Sequence, residues 1–214
     1  EGGNTDEFKG LLAKCSRLFF SIIIPIVCFV LIYAGDIILL IAGPGYSGAV
    51  LPMRICMIVM LIVGYEQVII IQGLMPLKRD KSILINSIVG GCTALALCLL
   101  FIPYLKAIGA SLVWLGSEIA TAISASIFIK KYIGFKFPAR EFFLRLLYNL
   151  PLGMMLFATS KVVCLTEHTV GLMVTLIVGA LIMLFYTVIL QCNIIKESAF
   201  IDLLEKVHLR KKRI

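Results

Sequence analysis

Two carboxylates stand out by where they fall. Glu66 is close to the centre of an apolar run over residues 54–75, and Glu118 is near the middle of another over 107–129. An ionisable side chain in hydrocarbon is costly and rare, so an acid at that depth is by default a functional-site candidate. The chemistry open to it is to take up and return a proton, or to bind a cation, from a water-filled cavity. The competing reading is a structural acid satisfied by Ser, Thr or Gln on a neighbouring helix.

Other residues carry weaker chemical signals. Arg54 opens the run that holds Glu66, and a guanidinium fork matches phosphate oxygens, so an anionic headgroup or pyrophosphate is its candidate ligand. An Arg at the end of a span more often reaches along its stem to the interface, and Lys161 poses the same choice. Asn86 and Gln72 are candidates to hydrogen-bond a sugar, although interhelical contacts are the commoner use of such residues. Asp36 reads as an interface residue and a candidate partner for Arg54. Pro25 and Pro151 are hinge candidates for alternating access, or else static kinks.

No catalytic residue is assigned. Walker-type glycine loops, HExxH, GxSxG and a supported Ser/His/Asp set are all missing from the sequence. Seven Cys are present, none in a CxxC, and His168 and His208 are not at zinc-ligand spacing from them. No metal or cofactor is expected.

These residues have to be positioned by membrane helices. The 214-residue chain is 61% hydrophobic and only 15% charged, with a mean hydropathy of +1.06. Soluble domains are nearer a quarter charged. The apolar residues come in runs near the ~20 residues that cross a hydrocarbon core. The fold class read from this is all-α: a polytopic membrane protein with a bundle of six transmembrane helices. The net charge of +8 is not read as a nucleic-acid signal, because the basic residues cluster in short loops between apolar runs.

Taken in order, residues 1–17 form an amphipathic interfacial segment. Within it Phe8, Leu11, Leu12 and Cys15 make one stripe, and Lys9, Lys14 and Arg17 lie on or near the other face. Six spans fill 18–192: about 18–42, 54–75, 82–102, 107–129, 142–163 and 170–192. Pro103 is expected to end the third. Ser82, Asn86, Gly90 and Thr93 recur at helical spacing and give that span one small, polar face. On the fourth, Trp114, Glu118, Thr121 and Ala125 share a face, with Ser117, Thr121 and Ser124 on an adjoining one. Residues 130–145 are basic and aromatic, which suits a headgroup region. Thr166-Glu167-His168 is a short loop, and 193–214 is a basic, amphipathic tail.

With both termini cytoplasmic, 17 of the 20 basic residues fall on the cytoplasmic side. Arg54, Lys106 and Lys161 remain opposite, so six spans satisfy the positive-inside rule. The chain begins at Glu1 with no basic region or cleavage site ahead of its first apolar run. It does not read as a signal peptide, and we expect it to be a piece of something longer.

Three blocks carry a family resemblance. Leu40-Ile-Ala-Gly-Pro-Gly-Tyr-Ser-Gly-Ala-Val-Leu-Pro-Met-Arg-Ile55 resembles a loop and helix start of polysaccharide flippases of the Wzx type. Gln72-Gly-Leu-Met-Pro-Leu-Lys-Arg-Asp-Lys81 is similar to their next cytoplasmic loop. Ile102-Pro-Tyr-Leu-Lys-Ala-Ile-Gly-Ala-Ser111, followed by Ser117-Glu118, is similar to their IP…GA…E turn. The resemblance covers roughly residues 5–192. It implies a member of the multidrug/oligosaccharidyl-lipid/polysaccharide exporter superfamily, whose proteins have about 12–14 spans in two lobes. It further implies that this chain is the C-terminal part, lacking N-terminal helices of the same protein. The implied cargo is an undecaprenyl-pyrophosphate-linked oligosaccharide for surface polysaccharide such as O-antigen or lipopolysaccharide. The implied place is the bacterial inner membrane, in contact with its lipids. The alternatives are a cation-coupled drug exporter of the same superfamily, a membrane-embedded cell-envelope enzyme and a structural scaffold. The enzyme reading is disfavoured because the longest gap between spans is only about 130–141.

Overall fold

A computed structural model describes residues 2–163 and 169–190. Among the described residues every regular element is helical. Helix α1 is Gly2–Ala42, and a 3-10 segment, Pro44–Ala49, links it to α2, Val50–Gln67. The coil of α2 then widens to a π-helical stretch, Val68–Leu74. Helix α3 is Asp80–Ile133, α4 Ala139–Tyr148, α5 Leu150–Val163 and α6 Thr169–Ile189. The loop at 166–168 and the tail at 193–214 lie outside the described residues.

Among the described residues five segments are long and apolar enough to cross a membrane: Thr5–Ala42, Pro44–Leu74, Asp80–Ile133, Ala139–Lys161 and Gly171–Ile189. The chain is a multi-pass membrane protein by that measure. The boundary expected at 17/18 is not a break in the backbone. One helix of 41 residues, about 61 Å long at 1.5 Å per residue, runs through it and through Pro25. Leu12 and Ser16, inside the supposed surface segment, are buried in the bundle.

The 54-residue α3 is folded on itself. Lys106 has φ 49° and ψ −120°, outside the helical region, and joins two helical arms. Cross-arm contacts pair early residues with late ones. Ser82 meets Tyr132 at 2.7 Å, a Cβ on Gly90 would strike Thr121, and one on Gly116 would strike Leu97. The arms are therefore antiparallel. The reversal comes three residues after Pro103, not at it, because the helical backbone continues past the proline to the last turn of the arm. Gly109 closes the bend, since a Cβ there would sit 2.6 Å from the Phe101 carbonyl oxygen.

The other helices are in similarly definite register. Arg54 on α2 reaches Leu31 on α1, Gly64 faces Phe19, and Gly73 lies near Leu12, so α1 and α2 are antiparallel. Thr121 meets Glu66 and Ile129 meets Gly73, so α2 runs parallel to the second arm of α3. These pairings put the 74–82 loop, the start of α1 and the end of α3 at one end of the bundle. Gly43 and Lys106 are at the other.

Two apolar cores result. One joins Leu12, Phe20 and Ile24 of α1 to Tyr65, Ile69 and Leu74 and to Ala125, Ile129 and Ile133 of α3. The other joins Tyr33 of α1 to Leu152 and Leu156 of α5, with α6 packed against it. The Tyr33 hydroxyl lies 2.6 Å from the Thr159 hydroxyl and 3.2 Å from the Leu156 carbonyl oxygen. Helix α1 is thus the wall shared by both cores.

Candidate functional site

Glu66 is buried, with 5% of its surface exposed. It sits on the last turn of α2, immediately before the π-helical stretch. Such widened turns are frequent at functional sites because they re-aim side chains that a regular helix would point elsewhere. The Asn86 side-chain amide donates to Glu66 Oε1 at 2.7 Å. Thr121 Oγ1 lies 2.8 Å from Glu66 Oε2. The same hydroxyl is 3.0 Å from the Glu118 backbone carbonyl and 3.4 Å from Glu118 Oε2. It has one proton to donate, so it serves one acceptor at a time. Trp114 Nε1–H donates to Glu118 Oε1 at 3.0 Å. Thr121 Oγ1 thus stands within hydrogen-bonding distance of a carboxyl oxygen of each acid.

Each part of this arrangement follows from helical spacing. Trp114, Glu118 and Thr121 fall at i, i+4 and i+7 on one face of the second arm. Glu118 is 12 residues from both Lys106 and Lys130, about 18 Å from each end. Asn86 belongs to the small, polar face of the first arm. Its neighbours Ser82 and Gly90 turn to the second arm, and this face is where the arms touch. The carbonyl oxygen of the Asn86 side chain is buried without a partner among the described residues.

Two acids meet here, and among the described residues no ion pair involves either of them. The ion pairs found, Lys9–Asp6 and Arg145–Glu141, lie elsewhere. Like charges this close repel each other, and the groups that face them in hydrogen bonds among the described residues are neutral donors. Among the described residues no group of three or more His, Cys, Asp or Glu could hold a metal ion. The donor set of two carboxylates, an amide and a hydroxyl suits a proton or a monovalent cation.

The structure therefore brings Glu66, Glu118 and Asn86 together and leaves the other candidates outside. Arg54 is exposed and its Nε donates to the Leu31 carbonyl at 3.1 Å, so it does not pair with Asp36. Gln72 is exposed on the π-helical stretch, away from the acids. Lys161 lies over the Phe157 ring at 5.4 Å. Pro25 is buried within an unbroken α1. Pro151 lies inside the Ala139–Lys161 segment, in the first turn of α5 just past the turn at Asn149, where its missing N–H costs little.

Two features escaped the sequence reading. One is Thr121 as the link between the acids, signalled only by its place three residues after Glu118. The other is a second buried charge. Arg145 is 3% exposed; its Nε donates to Ser21 Oγ at 2.6 Å and its Nη1 to Glu141 Oε2 at 2.7 Å. No family model matches the chain, and no curated protein or solved structure matches it.

Proposed function

We propose that the chain is the C-terminal part of a transporter that moves a lipid-linked oligosaccharide across the cytoplasmic membrane, coupled to a proton or monovalent cation at the Glu66–Glu118 pair. The observation that carries this reading is the pair itself: a buried and a half-buried carboxyl group joined through Thr121 within apolar helices, with no ion-pair partner among the described residues. A purely structural acid has no need of a second acid. A site that loads and unloads a positive charge does, because the second carboxylate raises the affinity for that charge. The cargo class rests on the resemblance of the three sequence blocks.

The same reading assigns six crossings with both termini cytoplasmic. Residues 80–105 and 107–133 are each about 40 Å long, more than the ~30 Å hydrocarbon core. The two arms of α3 then count as separate crossings joined outside at Lys106. Loops 75–81 and 134–138 fall on the cytoplasmic side with the basic residues, as the positive-inside rule requires.

The test is Glu66→Gln and Glu118→Gln in the complete reading frame, read as surface polysaccharide per molecule of folded protein. Each variant is expected to lose most export. Wild-type export from either well-expressed variant would end the coupling role. A drug-resistance defect with normal polysaccharide would move the cargo to small amphipathic compounds.

A further inference from the structure

An apolar cavity of about 640 Å³ opens on the side of the bundle away from the polar face of the first arm. The carboxylate pair does not line it. Ile58, Ile62 and Tyr65 form one wall, at i, i+4 and i+7 on α2; Ile119, Ile123 and Ile127 form the other, at i, i+4 and i+8 on the second arm of α3. Four of these isoleucines are exposed to the surroundings, at 43%, 42%, 56% and 60% for Ile58, Ile119, Ile123 and Ile127. Phe135, Phe137 and Phe142 close one end, with Phe137 edge-on to Tyr65 at 4.9 Å and Phe142 edge-on to Phe20 at 5.2 Å.

The polar lining is sparse and placed. Tyr65 and Ser126 interrupt the apolar walls, and Lys130 and Lys136 stand at the aromatic end. Both lysines are exposed and neither is in an ion pair among the described residues. Lys130 is in the last turn of the second arm, where the chain leaves the apolar run, so the two ammonium groups are at headgroup level. From Lys130 back to Ile119 the lining covers 11 residues of helix, about 16 Å. One leaflet of a bilayer is half of a ~30 Å core, about 15 Å. The cavity thus has the depth of one leaflet, apolar walls along that depth, and two positive charges at its mouth.

We propose that this cavity is a binding site for an anionic membrane lipid, one acyl chain lying between α2 and the second arm and the phosphate held by Lys130 and Lys136. The depth fits a leaflet chain rather than a soluble anion, and the paired lysines select a net negative headgroup over a zwitterionic one. The proposal goes beyond the transporter reading and does not depend on it, since its readout is lipid binding and not export.

The test is native mass spectrometry of the full chain in mild detergent, titrated with phosphatidylglycerol and, separately, phosphatidylcholine. At about 1 kcal/mol for each lysine near an anionic lipid, two lysines give a preference of about 30-fold for phosphatidylglycerol. Lys130→Gln with Lys136→Gln, both at exposed positions, is expected to erase the preference while thermal stability in detergent is unchanged. Ile123→Trp, also exposed, is expected to fill the slot and remove the adducts of both lipids. An equal response of the wild type to the two lipids would overturn the proposal, as would a preference that survives the double lysine variant. Competition by glycerol phosphate as strong as by phosphatidylglycerol would also overturn it, by making the site an anion site without use for the slot. Lipid adducts undiminished in Ile123→Trp would place the lipid on the outer surface and overturn it as well.

Discussion

Two regions of the bundle bury ionisable side chains, and they treat charge in opposite ways. At Arg145 a guanidinium that is 3% exposed meets Glu141 at 2.7 Å, with Ser21 and Asn149 tied into the same knot: Ser21 accepts from Arg145, and Asn149 donates to the Arg145 carbonyl at 2.8 Å. Opposite charges there neutralise one another and join α4 to α1 across 124 residues of sequence. At Glu66 the neighbour is Glu118, and only neutral donors surround the pair. The first region is balanced as it stands. The second has no ion pair among the described residues. The two buried charges differ in the sign of the ionisable group nearby, Glu141 for Arg145 and Glu118 for Glu66.

The sharpest way to break this comparison is to make the same change in both places. Glu141→Gln removes a charge-assisted hydrogen bond, and such bonds are worth about 1.5–3 kcal/mol. Because the Glu141 side chain keeps 36% exposure, the expected loss is about 1.5 kcal/mol, at the low end. Glu66→Gln keeps an acceptor for Asn86 and relieves the repulsion with Glu118. It is expected to change stability by no more than about 0.5 kcal/mol, under the average interhelical hydrogen bond in a membrane. Thermal melts in one detergent compare the two, and equal destabilisation would erase the distinction.

A smaller effect sharpens it. Thr121→Val removes the hydroxyl between the acids at nearly constant volume. The expected loss is about 1 kcal/mol, and it should shrink in a Glu66→Gln background because Thr121 and Glu66 are coupled. Additive losses in the double-mutant cycle would mean that the two side chains act independently.

The smallest effect is spectroscopic. Trp114 is the single tryptophan of the chain, and its ring N–H donates to Glu118. Its fluorescence is expected to shift when the pair gains or loses charge as pH or sodium is varied. The shift should vanish in Glu118→Gln and persist in Glu141→Gln. An identical response in all three proteins would show that the tryptophan reports something other than the pair.

Much of this was legible one helix at a time. Burial of Glu66 and half-burial of Glu118 follow from acids set in apolar runs, and the inward turn of Ser82, Asn86 and Gly90 follows from their spacing. That Glu66 and Glu118 meet was not legible. They are 52 residues apart, and their encounter depends on the parallel register of α2 with the second arm. That register is fixed by close packing at Gly73 and by the bend at Lys106, neither of which has a periodic signature. Arg54 and Gln72 misled because residue type alone sets no direction: one finds a carbonyl on α1, and the other faces outward. The lipid-sized cavity needed α1, α2, α3 and the 134–138 loop at once, so no single stretch announced it. Asn149 interrupts the helix about two turns into the expected fifth span, where its side chain bonds the Arg145 carbonyl.

The doubled-back shape of α3 also bears on how the protein enters its membrane. Alone in lipid, the first arm would present Ser82, Asn86 and Thr93 to hydrocarbon, and the second would present Ser117, Glu118 and Thr121. Each is a poor client for insertion by itself. Folded at Lys106, each arm covers part of the other's polar stripe, and Glu66 on the preceding helix supplies the partner that Asn86 still needs. In the proposed six-crossing reading, biogenesis is best served by delivering the two arms as one hairpin, after α2 is in place, with the Lys106 bend crossing first.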